Sequence, residues 1–162
     1  MKLAKAAIAL FVMCSSGHAL AQNAPVKAAA LGDQLIQDAK DGSLASVQQD
    51  LANGADVNSK HQNGRTALML TAEWGSTEDV ASFLLAHGAD INAKDNDGRT
   101  ALMWAVAPPG NHIIVPLLVA HGADVNAKAN DGTTVLSIAE SPDEFGEVDG
   151  DIVSLLRARG AQ

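Results

Sequence analysis

The chain has 162 residues, with 11 Lys and Arg against 19 Asp and Glu and a formal net charge of −8. That sign opposes a general role on DNA, RNA or anionic lipid, where affinity comes mainly from neutralising phosphates. A single cysteine, Cys14, cannot form an internal disulfide, so packing must hold the fold.

The opening MKLAKAAIALFVMCSSGHALAQ has two lysines, an apolar run from Ala6 to Met13, and a small, polar stretch ending Ala19-Leu20-Ala21. This is the layout of a secretory signal with an A-x-A cleavage site, and its apolar run is well short of the roughly 18 residues of a membrane span. Residues 1–21 are expected to be removed, leaving a linker over 22–30. Acylation of Cys14 is the less favoured alternative, because Val12 and Met13 stand where a lipoprotein signal carries small residues. Loss of Lys2 and Lys5 lowers the cations from 11 to 9 against 19 acids, a net charge of about −10. Nothing later is long and apolar enough to re-enter a membrane. The remainder, about 140 residues, suffices for one ordinary core.

The chain then repeats itself. NGADVNSKHQNGRTALM begins at Asn53, HGADINAKDNDGRTALM at His87 and HGADVNAKANDGTTVLS at His121, so that Gly54, Gly88 and Gly122 are 34 apart, as are Gly64, Gly98 and Gly132. A fixed period of this size marks a solenoid whose units cannot bury their apolar faces alone. Thr66 supplies an N-cap oxygen for a first helix over Ala67–Trp74, and Gly75 breaks it. Val80, Phe83, Leu84 and Leu85 recur at helical spacing before Gly88, which sits where a helix ends at positive φ. The intervening ADINAKDND carries turn chemistry.

This order of an extended turn followed by two helices, with TALM opening the first and HGADIN following the second, resembles the ankyrin repeat. The resemblance covers about Leu31 to Ala161 and implies an all-α solenoid of helix-turn-helix units joined by β-hairpin turns. The repeat domain, 31–162, divides into units of about 31–60, 61–94, 95–128 and 129–162, the first and last being atypical caps. The family's T-P-L-H becomes Thr66-Ala67-Leu68-Met69, Thr100-Ala101-Leu102-Met103 and Thr134-Val135-Leu136-Ser137. Loss of the histidine that ties neighbouring hairpins predicts looser hairpin order, methionine filling the space apolarly. The spacing of Gly75 and Gly110 within their units predicts loops that differ from rung to rung, and SPDEFGEVDGD swells the last one.

Catalytic chemistry finds no foothold. No G-x-S-x-G, P-loop or nucleophile with a base at interpretable spacing is present. His87 and His121 recur one rung apart, too far to share a metal, and are read as helix C-terminal imidazoles interacting with exposed carbonyls. His61 and His112 have no evident partners in the sequence. The acidic stretch 140–151, with Glu140, Asp143, Glu144, Glu147, Asp149 and Asp151, raises a metal-binding alternative. It lacks a D-x-[DN]-x-[DN]-G register, so a solvated loop is the favoured reading.

The resemblance implies protein binding through hairpin tips and the exposed face of each first helix. Those positions are Lys60, Gln62, Asn63, Arg65, Glu73 and Trp74, then Lys94, Asn96, Asp97 and Arg99 with Pro108 and Pro109, then Lys128, Asn130, Asp131 and Thr133. Lys60, Lys94 and Lys128 align as a basic row beside Arg65 and Arg99, which is either a recognition stripe or simply solvated consensus. Trp104 replaces Leu70 of the preceding unit and is read as core packing, whereas Trp74 is read as an exposed anchor converging with Arg65 and Arg99.

The expectation is therefore a non-enzymatic, monomeric interaction module without cofactor, exported to the periplasm and binding a protein partner on its concave face. The resemblance implies an accessory role beside a periplasmic enzyme of stress defence, or alternatively an immunity protein that neutralises a toxin. N-terminal sequencing of the exported protein is expected to begin at Gln22; retention of residues 1–21 or an acylated Cys14 overturns the export assignment.

Overall fold

A computed structural model describes residues 29–74, 78–107, 112–142 and 148–162. The signal segment 1–21, most of the linker 22–30, the interhelix residues Gly75, Pro108, Pro109 and Gly110, and Asp143, Glu144 and Glu147 of the acidic stretch lie outside them.

The described residues form helices in consecutive pairs: α1 (29–40) with α2 (Leu44–Ala52), α3 (Ala67–Trp74) with α4 (Glu78–Ala86), α5 (Ala101–Val106) with α6 (Val115–Ala120), and α7 (Val135–Ala139) with α8 (Gly150–Ala158). A 3-10 turn, His112–Ile114, leads into α6. First helices stack on first helices, α3 on α5 and α5 on α7, while α2 packs on α4 and the 3-10 turn takes up the next contact with α4. Each unit thus buries its apolar side against its neighbours, as a solenoid requires.

The recurring sequence explains the recurring geometry. Thr66, Thr100 and Thr134 accept the amide hydrogens of Met69, Met103 and Ser137 and start the first helices. In the last unit Ser137 stands where the others have methionine, and its hydroxyl accepts from the Thr134 amide to complete a capping box. Second helices close at Gly54, Gly88, Gly122 and Gly160, all at positive φ. Around Gly88 the amide of Ala89 reaches Leu84 O and that of Gly88 reaches Leu85 O, the paired bonds of a Schellman cap.

The GADxN segments then join one unit to the next. Asp56, Asp90 and Asp124 each accept the amide two residues on, which turns Asn58, Asn92 and Asn126 outward. Each asparagine side chain makes two bonds to the following unit. Asn58 donates to Gly88 O and accepts from Asp90 N; Asn92 does the same with Gly122 O and Asp124 N. Asn126 closes the series on Gly160 O and the Gln162 amide. The hairpin tips are tied as well: the Asn96 side chain donates to Gln62 O and its amide to Asn63 O, and Asn130 repeats this on Asn96 O and Asp97 O. Where the family's histidine is missing, these asparagines supply cross-links between neighbouring hairpins. Gly64 and Gly98 are needed twice over: each has positive φ, and a Cβ there would lie 2.7 or 2.8 Å from the backbone nitrogen of Asn96 or Asn130.

One continuous core runs through the units. Leu68, Met69, Leu84, Leu102, Met103, Ile114, Leu118 and Leu156 are fully buried within it. At the C-terminal end Asp149 caps α8 through the amides of Asp151 and Ile152 and meets His112 Nδ1 at 2.9 Å. The Ile152 amide bond, seconded by His112, holds the Asp149 carboxyl below the usual carboxylate range. His112 Nε2 faces Val106 O at 3.2 Å, so both ring nitrogens face acceptors. His112, without a partner in the sequence reading, thus links α6's leading turn to the start of α8. At the other end Asp50 is buried beside Asp38. Burial foremost, then the hydrogen bond and charge of Asp38, push its carboxyl above the ordinary value, and Asp50 Oδ2 has no hydrogen-bond partner.

Leu84→Ala and Leu118→Ala are each expected to cost about 2–5 kcal/mol in denaturant unfolding through lost burial and cavity formation; losses under about 1 kcal/mol for both contradict their place in the stack. Asp50 carries the opposite sign. A raised carboxyl contributes stability below its unfolded value that is lost as pH rises through its folded value. Asp50→Asn should therefore stabilise the protein at pH 7, with the gain lost as pH falls to about 4, the unfolded carboxyl's value. Parallel melting curves at the two pH values check this.

Candidate functional site

The surface residues singled out in the sequence fall into three groups. The first is used internally. Lys60 and Lys94 each donate through Nζ to the backbone carbonyl of the equivalent lysine in the next unit, Lys94 O at 2.8 Å and Lys128 O at 2.9 Å. Two of the three aligned lysines are thus rung-to-rung ties, which leaves little of the basic row as a free stripe. The side chains of Asn96 and Asn130 are taken up in the tip ladder, and Gln62 gives it a carbonyl. Asn63 and Asp131 shape their own turns by accepting the amides of Arg65 and Thr133. Bonds from Thr133, with a smaller pull from Arg99, hold the Asp131 carboxyl below its ordinary range. Asp97 gives its amide to Asp95 Oδ1 and its carbonyl to Asn130.

The second group is a stack on the first-helix face. The guanidinium of Arg65 lies 3.9 Å from the centre of the Trp104 ring, and that of Arg99 lies 5.2 Å from it. A cation over an indole is attracted by the ring's negative face. The indole N–H of Trp104 donates to Asp95 Oδ2 at 3.0 Å, while Asp95 Oδ1 accepts the amides of Asp97 and Arg99. Asp95 is buried, so its carboxylate is stabilised by three hydrogen bonds in place of water. Arg65 also pairs with Glu73 of its own unit, their side chains being 15% and 12% exposed. Arg65 and Glu73 are therefore not free tip and face residues as read from the sequence; they are partly buried partners.

Trp104 packs where the sequence placed it, but less deeply. It packs against the core but is only half-buried, because the polar edge of the indole is drawn to Asp95 and its face to the two arginines. Leu70, its equivalent one unit earlier, is also half-buried, so the register was right and the depth was not.

The third group is exposed. Trp74 is 51% exposed at the end of α3, with Lys40 Nζ 5.8 Å above its ring. It does not converge directly with Arg65 and Arg99; the indole between the arginines is Trp104. A cleft of about 410 Å³ is lined by Lys40, which faces Trp74, and by Arg65, which faces Trp104, together with Ile36, His61, Asn63 and Leu70. The surface runs from Trp74 and Lys40 across this cleft to Arg65, Trp104 and Arg99. Lys40 and Asp95 were missed in the sequence. Lys40 lies in the atypical first unit, where the repeat register does not reach. Asp95 had a legible signal, since the same tip position holds His61 and Ala129 in the other units.

His87 and His121 direct Nδ1 at the carbonyls of Phe83 and Leu117, four residues earlier, which matches the reading of helix-end imidazoles. Among the described residues no group of three or more His, Cys, Asp or Glu is placed to hold a metal ion. No helix among them is long and apolar enough to cross a membrane.

Trp104→Ala is expected to lower stability by about 2–4 kcal/mol, since it removes apolar contact, orphans one oxygen of buried Asp95 and releases both arginines. Trp104→Phe keeps an aromatic face but loses the N–H and part of the apolar area, and should cost less, about 1–2 kcal/mol. Equal costs for the two variants contradict the role of the ring face.

The sequence profile described as ankyrin repeats in three copies matches residues 35–129, more than half of the chain. A comparison with curated proteins finds no match. With paired helices stacked unit on unit and this match across them, the chain belongs to the ankyrin repeat family, whose repeats mediate protein–protein interaction.

Proposed function

We propose that this protein is an exported, non-enzymatic binding module that docks a protein partner on the face running from Trp74 to Arg99. The exposure of Trp74 carries the reading. A tryptophan half open to solvent, on a chain with 3% aromatic residues, presents apolar area that is left unburied in the isolated protein. Its neighbour Lys40 lines a cleft that reaches Arg65 of the arginine–indole stack, and Trp and Arg are residue types that dominate interface energies. Much of the polar surface along the tips is occupied in holding units together, so the remaining open groups concentrate recognition on this face.

Export rests on the three-part N-terminal segment, and the resemblance to exported ankyrin proteins implies a role accessory to a periplasmic enzyme of stress defence. Stoichiometric binding suffices for that role. The test is affinity capture from periplasmic extract, followed by calorimetry with the purified partner. Trp74→Ala is expected to weaken binding by about 2 kcal/mol or more with an almost unchanged melting temperature. Retained affinity in that variant moves the interface off this face.

A further inference from the structure

The internal repeat supplies a template for what is missing at Arg99. Arg65 and Arg99 are equivalent, 34 residues apart, each directly before the threonine that caps a first helix. Both guanidinium groups lie against Trp104. Arg65 finds its carboxylate within its own unit, from Glu73 eight residues on. The residue eight beyond Arg99 is Ala107, which has no carboxylate. The helix has also ended there: α5 stops at Val106 and Ala107 is extended, with ψ 135°, whereas α3 continues through Glu73 to Trp74. Two changes between units, one of residue type and one of helix length, remove the acceptor.

Arg99 accordingly makes no side-chain hydrogen bond among the described residues. Its backbone amide is fixed on Asp95, and Asp131 acts on it only electrostatically, without an ion pair. The nitrogens of Arg99 are also not sealed from solvent, unlike Nε of Arg65. Its guanidinium therefore lies beside an indole, half-buried but not sealed, and is unanswered by any carboxylate of its own unit. A pre-positioned guanidinium of this kind forms paired, charge-assisted bonds to carboxylate with less ordering cost than a free side chain.

We infer that Arg99, stacked on Trp104, is the recognition point for an acidic side chain of the protein partner, whose carboxylate occupies the place that Glu73 occupies on Arg65. This rests on the binding face proposed above and names the chemistry that the partner must bring to it: an Asp or Glu at the centre of its contact surface.

The test uses a defined probe, the peptide acetyl-Gly-Gly-Glu-Gly-Gly-amide, titrated at constant ionic strength into isotope-labelled protein. The readouts are the Arg99 Nε–H and Trp104 indole N–H resonances. Saturable shifts at both are expected, with binding about tenfold weaker for the Gln counterpart of the peptide and for Arg99→Ala, the loss of one charge-assisted interaction. Arg99→Lys keeps the charge without the fork and should also weaken binding. Glu73→Ala should add a second response at Arg65, because it recreates there the situation of Arg99. Equal binding of the Glu and Gln peptides, or full binding to Arg99→Lys, overturns the inference. So does tighter binding of acetyl-Gly-Gly-Gln-Gly-Gly with a free C-terminus, which would assign the site to a chain end. The two proposals fail separately: partner binding that is lost in Trp74→Ala but unchanged in Arg99→Ala leaves the binding face standing and removes the Arg99 site.

Discussion

The bidentate asparagine clamp is the constraint on which the rest of this molecule depends. Asn58, Asn92 and Asn126 each offer one donor and one acceptor to the next unit, which answers with a glycine carbonyl and the amide two residues later. A side-chain amide is suited to this because it carries both functions in one plane at fixed spacing. The aspartate before it sets its direction, and the glycine before that ends the preceding helix. GADxN is thus one device with three parts: a stop, a pivot and a clasp. Because the clasp is indexed on the partner's backbone, it fixes the offset between units regardless of the side chains elsewhere in them.

A fixed offset decides what the remaining residues can reach. Lys60 meets the carbonyl of Lys94 because equivalent positions are held in register, and Lys94 meets Lys128 for the same reason. Asn96 and Asn130 can close on the preceding tips only where Gly64 and Gly98 leave room; at Gly132 a Cβ would meet nothing within 4 Å among the described residues. Positions that look like a surface stripe in the sequence are thereby converted into internal connections. The groups left over have more bearing on recognition than those that repeat.

The proposed recognition face is built from the departures from the repeat. The sequence Leu70, Trp104, Ile138 runs down one column of the stack, and only the indole has an N–H to fix on Asp95 and a face broad enough for two guanidinium groups. Glu73 becomes Ala107, and the first helix shortens from eight residues to six. Thr133 takes the place of the two arginines in the last unit, so the stack ends there. A scaffold that makes every unit alike gives each such change a defined neighbour on either side, which is how a solenoid acquires a specific face without altering its fold.

The period of 34, the glycines, the threonine caps and the apolar spacing were legible in the sequence because each acts within a few residues of itself. Capping, helix termination and helical amphipathicity are local, and repetition displayed them several times over. Leu84 and Leu118 could be assigned to the stack for that reason, as could the helix-end roles of His87 and His121. The depth of Trp104 and the occupation of Lys60, Lys94, Arg65 and Glu73 were not legible. Each depends on a contact between units or across the width of one, whose distance is set by how the helices pack. Arg65 touches Trp104 from 39 positions away, and His112 touches Asp149 from 37. The sequence by itself determined the repeating unit and its joints. Only the tertiary structure decided which polar groups those joints consume and which are left open, because hydrogen-bond partners across a stack are chosen by three-dimensional register and not by residue type.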